Sequence, residues 1–299
     1  MLFVDVVLPA LAILGAGYAF GRFTATDLEP LSRFTLVVLS PALIFGYLAT
    51  AEVPAAAMTR ALGYVLLYIA AAALLTVLVA RLTGLAALAS PLLLATVFTN
   101  SGNYGLPIIL FAYGREGYLL GISVLAIHLV LMYPIGIWFA TLGREGWRRG
   151  VVTALSNPPV VAGLLALAVR LVGLPVPGGL LRAVRLVGDA GVPVILLLLG
   201  AQIARTRVEG NVKPIVVGAA VRLVLGPILA VALTVPLGLT GLLAKVLVLQ
   251  HAMPTAAIMV LLALEYGARP DLVASITVVT TAVSAATVTA VLYFLAWAF

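Results

Sequence analysis

The stretch that decides the fold runs from Thr99 to Ile108 and reads TNSGNYGLPI. It puts two asparagines, two glycines and a proline inside an apolar run that is long enough to span a bilayer. In hydrocarbon, an unwound backbone is tolerated only where protein or a water-filled cavity satisfies its freed N–H and C=O groups. The stretch therefore predicts a broken transmembrane helix whose break lines a site.

A second interruption lies in the middle of another apolar segment, at residues 251–255, and reads HAMPT. Interrupted segments in corresponding positions of two halves are typical of secondary transporters, in which the breaks meet at a substrate site near the middle of the bilayer. The two interruptions together predict a transporter.

Composition places the chain in a membrane. Hydrophobic residues make up 64% of the 299 residues and charged residues 9%, and the mean hydropathy is +1.25. A soluble globular protein needs far more charge at its surface. Apolar stretches of about 18 to 25 residues recur along the chain, whereas the strands of a barrel would alternate over about 10 residues. We therefore predict helical spans.

The apolar stretches predict ten transmembrane helices. Their approximate ranges are 3–20, 31–50, 61–80, 86–112, 118–141, 158–173, 183–203, 214–235, 241–265 and 272–296. The first stretch has no basic leader and no small-residue cleavage site, so we expect a retained helix and not a signal peptide. Cysteine is absent, which excludes disulfides and thiolate-bound metals.

Basic residues predict the orientation of the spans. The loops after the first, third, fifth, seventh and ninth spans hold ten Lys and Arg residues, and the opposite loops hold five. The positive-inside rule puts the larger group in the cytoplasm, so we expect a multi-pass protein of the cell membrane with both termini outside. The net charge of +7 fits contact with anionic lipid and does not imply nucleic acid.

The two halves of the sequence repeat. A shift of about 152 to 154 positions aligns Pro41 with Pro193 and Tyr113 with Tyr266, and a nearly constant offset of this kind indicates an internal repeat. Each half holds an odd number of spans, so the second half enters the membrane from the opposite side. We predict a first five-helix repeat at 1–142, a cytoplasmic loop at 143–157 and a second, inverted repeat at 158–299.

These motifs resemble a known family. The stretch 99–108 resembles the fourth-span signature of the auxin efflux carrier family, which contains plant PIN-type auxin exporters and bacterial malonate and malate permeases. The sequences MPTA at 253–256, ALEYG at 263–267 and DLVAS at 271–275 are similar to its ninth-span pattern, and residues 157–201 are similar to its sixth and seventh spans. The long cytoplasmic loop of the plant exporters is missing here, which favours the compact prokaryotic branch.

The resemblance implies a ten-helix fold of the sodium/proton-antiporter type. Spans 1, 2, 6 and 7 would form a scaffold, and spans 3 to 5 and 8 to 10 a moving substrate domain in which broken helices 4 and 9 cross at mid-membrane. Helix N-terminal ends at such a crossing carry partial positive charge and favour an anion. We therefore expect a secondary active or facilitative carrier of a small carboxylate, working by an elevator or rocking movement without a cofactor.

The candidate substrate contacts lie in the two interruptions. Amide and hydroxyl groups there can hydrogen bond to a carboxylate, and the prolines force the breaks. An intramembrane Asn or Thr also has a simpler reading, in which it only satisfies unwound backbone or a neighbouring helix. The candidates are Asn100, Ser101, Asn103, Tyr104, Pro107, Pro254 and Thr255.

Ionisable residues inside the spans are candidates for charge compensation or coupling. Arg222, deep in span 8, is expected to cap negative C-terminal helix ends at the crossing, with anion attraction and structural pairing as alternatives. Lys245 lies where a snorkelling side chain is the simpler reading, and Glu265 is either a proton relay or a helix-end carboxylate. His251 adjoins the second break and is a candidate for titration during transport. We expect His128 to be a hydrogen-bonded packing residue. The two histidines are far apart in the sequence and lack i,i+4 or carboxylate companions, so they predict no metal site.

Three other functional classes fit the sequence less well. A membrane enzyme would need paired acids, an HExxH helix or an activated serine, and the sequence offers none of these. Broken helices also build channel filters, but channels commonly use symmetric pores. A sodium-coupled organic-anion symporter of the bile-acid type is the main alternative, although the second break offers no acid and only Gln250 as a nearby amide. Proton coupling or uniport is therefore preferred to sodium coupling, and a homodimer is left open.

Overall fold

The protein is an all-α membrane protein. The computed structural model describes residues 2–51, 54–142 and 147–299, and these ranges contain helices, turns and a single isolated β-bridge. Seven of the described helices are long and apolar enough to cross a membrane, or eight if a pair bent by 77° counts as one span. Large hydrophobic side chains such as Leu74, Leu171 and Trp297 are exposed on its outer faces, as lipid contact requires.

Fourteen α-helices follow one another in the described chain. They are α1 (Leu8–Phe23), α2 (Glu29–Phe34), α3 (Ser40–Leu48), α4 (Ala55–Leu82), α5 (Ala89–Val97), α6 (Leu106–Thr141), α7 (Trp147–Leu155), α8 (Pro158–Val172), α9 (Gly178–Arg205), α10 (Val212–Ala220), α11 (Gly226–Ala232), α12 (Gly241–His251), α13 (Ile258–Glu265) and α14 (Pro270–Ala298).

Four π-helical turns each end two residues before a proline. Proline lacks an N–H and its ring crowds the carbonyl one turn earlier, so the helix widens locally instead of continuing its regular ladder. Three of these turns keep apolar segments continuous, giving the runs Phe3–Phe23, Glu29–Leu48 and Val212–Ala232. The π-turns are Phe3–Val7, Thr35–Leu39, Ser101–Gly105 and Val221–Leu225.

The long helix α6 turns back on itself at Gly114. This residue has φ 61° and ψ −157°, a conformation that favours glycine. The side chains of Leu106 and Ile109 lie 3.1 and 3.2 Å from where a Cβ on Gly121 would stand. Since a straight helix would separate residues 106 and 121 by about 22 Å, α6 is a hairpin of two helical arms, and the arms match the sequence boundary predicted between 112 and 118.

Helices α1 and α9 pack backbone against backbone. A Cβ on Gly17 would stand 2.0 Å from the carbonyl oxygen of Leu197, and one on Gly200 would stand 2.0 Å from that of Leu14. Small residues allow this close approach, which is how helices associate in lipid. Helix α3 packs against both α8 and α9, so the helices α1, α3, α8 and α9 are joined by mutual contacts.

The segment predicted as a loop at 143–157 contains helix α7. Residues 143–146 lie outside the described part, but residues 147–155 are helical and pack back on α6, where a Cβ on Gly150 would stand 2.5 Å from Cα of Pro134. The basic pair Arg148 and Arg149 suggested a plain polar loop. Apolar residues such as Val152 share the segment with them, however, so the segment has the mixed composition of an amphipathic helix.

Candidate functional site

The two interruptions meet. Helix α5 ends at Val97 and α12 ends at His251, and the segments that follow form an antiparallel β-bridge between Thr99 and Thr255. Both predicted broken helices are therefore broken, and their breaks lie against each other.

Backbone hydrogen bonds hold the two breaks together. The N–H of Asn100 donates to the carbonyl oxygen of Pro254 at 2.8 Å, and the N–H of Ala256 donates to the carbonyl oxygen of Phe98 at 3.1 Å. Unwound backbone in a membrane protein must find partners within the protein. Here each break supplies the partners of the other.

The first break restarts its helix with an asparagine cap. The Oδ1 atom of Asn100 accepts a hydrogen bond from the N–H of Asn103 at 3.2 Å, which is the geometry that favours asparagine at a helix start. Pro107 follows the π-turn Ser101–Gly105, whose wider backbone accommodates the missing N–H of the proline. The Nδ2 atom of Asn100 is buried and has no hydrogen-bond partner among the described residues.

Arg222 lies beneath the crossing and contacts the ends of both incoming helices. Its guanidinium donates to the carbonyl oxygen of Thr96 at 2.6 Å and to that of His251, and it reaches that of Val97 at 3.5 Å. It also donates to the hydroxyl oxygen of Tyr68 at 2.9 Å. Arg222 is fully buried, with 0% of its surface exposed. The C-terminal ends of α5 and α12, which carry partial negative charge, thus share one fixed cation.

The two breaks contain no acidic residue that could offset the charge of the helices that leave the crossing. Helices α6 and α13 leave the crossing with their N-terminal ends nearest to it, and such ends carry partial positive charge. Neither interruption contains Asp or Glu in its sequence. The crossing therefore combines a buried arginine with two helix ends of partial positive charge.

A cleft opens beside the first break. It has a cavity volume of about 40 Å³, room for roughly three water molecules. Asn103 is exposed there and supplies an amide, Ser40 supplies a hydroxyl from α3, and the remaining walls are apolar. The lining residues are Ser40, Leu43, Ile44, Gly102, Asn103, Leu106, Pro107, Leu125, Val192 and Ile195. Of the predicted substrate contacts, the cleft brings together Asn103 and Pro107.

The other predicted contacts are buried within the crossing. Thr255 is 0% exposed, and its hydroxyl donates to the carbonyl oxygen of Ala95 at 2.6 Å and accepts from Thr280 at 3.2 Å. Tyr104 and Ser101 are buried as well. The structure thus separates the two candidates that line the cleft, Asn103 and Pro107, from several that face the protein interior.

His251 is paired with the histidine that was assigned to packing. The Nε2 atoms of His128 and His251 are 3.0 Å apart, and both rings are buried. Sequence distance was a poor guide to their separation, because α6 and α12 lie side by side. Among the described residues, no group of three or more His, Asp or Glu side chains could hold a metal ion.

Lys245 and Glu265 lie away from the breaks. Lys245 is half-buried on α12, nearly two turns before its end. Glu265 is at the end of α13, where its carboxylate is 3.6 Å from the guanidinium of Arg149, and both side chains are more than half exposed. Its placement fits the helix-end reading of this carboxylate.

Two residues near the site were missed by the sequence analysis. Ser40 precedes Pro41, the residue that the repeat aligns with Pro193. A polar residue beside a proline in the middle of a span was a signal that could have identified Ser40. Tyr68 lies in an ordinary apolar helix, and only the tertiary structure brings its hydroxyl to Arg222.

Comparison with known proteins adds independent findings. Residues 148–293, close to half of the chain, match a family model described as membrane transport protein. An uncharacterized transporter of the archaeon Methanothermobacter thermautotrophicus is 27% identical over 287 residues, which cover 91% of each chain.

Two further relatives match over shorter regions. An uncharacterized transporter of Methanocaldococcus jannaschii is 26% identical over 202 residues, which cover 64% of each chain. A probable auxin efflux carrier component of Oryza sativa is 30% identical over 136 residues, which cover 43% of this chain and 22% of that protein.

Proposed function

Because this chain belongs to the auxin efflux carrier-like membrane transport proteins, as its fourth-span motif predicted, we propose that it is a secondary carrier of a small organic anion. The family match and the names of its relatives indicate a multi-pass transporter and not an enzyme. The substrate class, the mechanism and the coupling are our proposal.

The crossing carries this proposal. Carriers of this kind bind the substrate near the bilayer centre, where half-helix N-termini face an anion and C-terminal ends hold a cation. In this chain Arg222 provides the cation on the ends of α5 and α12 through Thr96 and His251. Asn103 provides the amide that faces the cleft. We assign the carboxylate to this amide and to the neighbouring start of α6.

Thr255 receives a different role in this proposal. Its hydroxyl bonds the backbone of α5 and the hydroxyl of Thr280, so we assign it to holding the crossing and not to substrate contact. Pro254 acts in the same way, since its carbonyl oxygen accepts the N–H of Asn100.

The movement is proposed to occur between a scaffold and a substrate domain. The packing of α1, α3, α8 and α9 supports a scaffold made of spans 1, 2, 6 and 7, and the hairpin at Gly114 supports separate spans 4 and 5. The cleft runs between this scaffold and the first break, because Ser40 and Val192 face Asn103 across it. We propose ten spans in a five-plus-five inverted repeat, with the crossing carried past the scaffold by an elevator or rocking step.

Sodium coupling is the less favoured alternative. In sodium-coupled carriers, unwound carbonyls and C-terminal helix ends hold the ion. Here the carbonyl oxygens of Thr96 and His251 already accept hydrogen bonds from Arg222. A fixed cation therefore stands where sodium would otherwise be needed. Three points remain predictions from the sequence: both termini lie outside, the protein is located in the cell membrane, and a homodimer is possible.

Ligand-dependent thermal unfolding of the purified protein tests the anion site. We expect malonate or malate to raise the melting temperature, both with and without sodium. The neutral malonamide should leave the melting temperature unchanged. A ligand present at about 100 times its Kd stabilises the folded state by about 2.7 kcal/mol. Equal shifts with malonate and malonamide, or shifts that require sodium, would contradict the proposal.

The substitution Asn103→Asp is the sharpest variant for this test. It keeps the shape of the side chain and places a negative charge in the cleft, so we expect the malonate-induced shift to disappear while unfolding without ligand stays the same. Asn211→Asp is the matched control, because Asn211 is an exposed cap at the start of α10, remote from the crossing. Wild-type malonate binding by Asn103→Asp would remove Asn103 from the site.

Transport itself separates a carrier from a channel. In proteoliposomes, exchange of labelled malonate that saturates with concentration would support the carrier. A malonate current that rises without saturation would support a channel.

A further inference from the structure

The two histidines of the chain form one buried pair. Their Nε2 atoms are 3.0 Å apart, and the Nδ1 atom of His251 lies 2.7 Å from the carbonyl oxygen of Leu247. A carbonyl oxygen only accepts, so Nδ1 of His251 carries a hydrogen and its Nε2 carries the lone pair of a neutral ring. The hydrogen between the rings then belongs to Nε2 of His128, which donates to His251.

These assignments leave one nitrogen able to take up a proton. Nδ1 of His128 holds the remaining lone pair of the cluster, and this buried atom has no hydrogen-bond partner among the described residues. A proton added there turns His128 into an imidazolium that still donates from Nε2 to His251. The pair then carries one charge shared along an N–H···N hydrogen bond.

The surroundings limit the pair to a single added proton. The charged or titratable groups that face it are Arg222, Tyr64 and Tyr68; the ring centroid of His251 lies 5.1 Å from that of Tyr64 and 4.2 Å from that of Tyr68. Lys245 is on the same helix as His251 but nearly two turns away. Protonating both histidines would collect three positive charges in one buried cluster, which Coulomb repulsion opposes.

The pair is joined directly to the crossing. Arg222 donates to the carbonyl oxygen of His251, so the residue that holds the pair also forms the capped end of α12. An anion bound at the crossing would offset the charge of Arg222 and make a proton on the pair less costly. By linkage, a proton on the pair would then strengthen anion binding by the same factor.

We propose that the His128–His251 pair is the proton-binding site that couples anion transport to a proton gradient, one proton for each carrier cycle. This inference depends on the proposed anion transport. It adds the coupling ion and the atoms that hold it.

Nitrogen-15 NMR of the protein in lipid tests the site without any transport assay. The chain has two histidines, so histidine labelling reports on the pair alone. We expect coupling across the N–H···N bond and, as the pH is lowered, uptake of a single proton by the pair, at a higher pH with malonate present than without it. Two rings that stay neutral throughout, or that gain two independent protons, would overturn the proposal.

Proteoliposomes test the coupling. With the membrane potential clamped, an inward proton gradient of one pH unit can raise the accumulation of labelled malonate at most about tenfold for one proton per anion. We expect accumulation by the wild type to depend on the proton gradient. In His128→Gln and His251→Gln, we expect the ratio of malonate accumulation with the gradient to accumulation without it to be near one. Protein-free liposomes correct for passage of the neutral acid.

Tyr64→Phe is the matched control for these variants. Tyr64 packs against the ring of His251 and its hydroxyl donates to the carbonyl oxygen of Ala230, so the substitution disturbs the same buried region without removing a ring nitrogen. We expect the gradient dependence to persist in Tyr64→Phe. If the wild-type protein exchanges malonate but its accumulation does not depend on the proton gradient, the coupling proposal fails. If the wild-type protein exchanges no malonate, the proposed function fails. The NMR result then still decides whether the pair binds a proton.

Discussion

The two breaks are matched in sequence but not in surroundings. The first break presents Asn103 to a cleft, whereas the second break is closed, with Met253 and Thr255 both 0% exposed. Residues that look equivalent in a repeat can thus have unequal roles. We therefore assign substrate binding to the first break and support of the crossing to the second.

The difference arises from what packs against each break. The first break faces α3 and α9 across the cleft, where Ser40 and Val192 leave open space beside it. The second break packs against α5 and α14. The hydroxyl of Thr255 donates to the carbonyl oxygen of Ala95 in α5 and accepts from the hydroxyl of Thr280 in α14. The predictions below test this division between binding and support.

The largest effect is expected for Arg222→Met. It would leave the carbonyl oxygens of Thr96 and His251 without their donor in a buried site, and each buried acceptor left without a donor typically costs about 1–3 kcal/mol. Thermal or denaturant unfolding in detergent measures this loss. Arg81→Met is the control, because Arg81 is exposed at the end of α4, and equal stability of the two variants would remove Arg222 from its supporting role.

The next effect is expected for Asn103→Ala, in ligand binding and not in stability. A hydrogen bond to a charged group contributes about 1.5–3 kcal/mol, so carboxylate affinity should fall by roughly 10- to 100-fold. The unfolding free energy should change by less than about 0.5 kcal/mol, since the side chain is exposed. Calorimetric titration with malonate gives the first quantity; unchanged affinity would show that the first break does not bind the anion.

Thr255→Val should show the reverse pattern. Losing the hydroxyl that donates to Ala95 should lower the unfolding free energy by about 1 kcal/mol, with a smaller effect on malonate affinity than Asn103→Ala. Thr289→Val is the control, because the hydroxyl of Thr289 bonds only within its own helix, to Ala285. A larger loss of affinity in Thr255→Val than in Asn103→Ala would reverse the roles assigned to the two breaks.

The smallest effect is expected for Glu265→Gln. Exposed ion pairs such as Glu265 with Arg149 contribute between about 0 and 1 kcal/mol, and this pair lies outside the crossing. The initial rate of labelled malonate exchange in proteoliposomes should therefore stay close to that of the wild type. A strong loss of pH-dependent transport in this variant would restore Glu265 as a proton relay.

Much of the fold was predictable because lipid imposes simple rules. Apolar length indicated helical spans, and Asn, Gly and Pro in the stretch 99–108 indicated a break, since each of these residues has a specific backbone reason to interrupt a helix. Helix α7 was missed because its arginines were counted as loop charges. Its apolar residues were not weighed as one face of a helix.

The sequence by itself determined that this chain is a helical membrane transporter with two interrupted spans, because composition and local backbone chemistry act over a few residues. Only the tertiary structure decided which break faces a cleft, that Arg222 contacts both helix ends, and that His128 meets His251. Those facts depend on which helices lie side by side. Spacing along the chain carries little information about contacts between residues 123 positions apart.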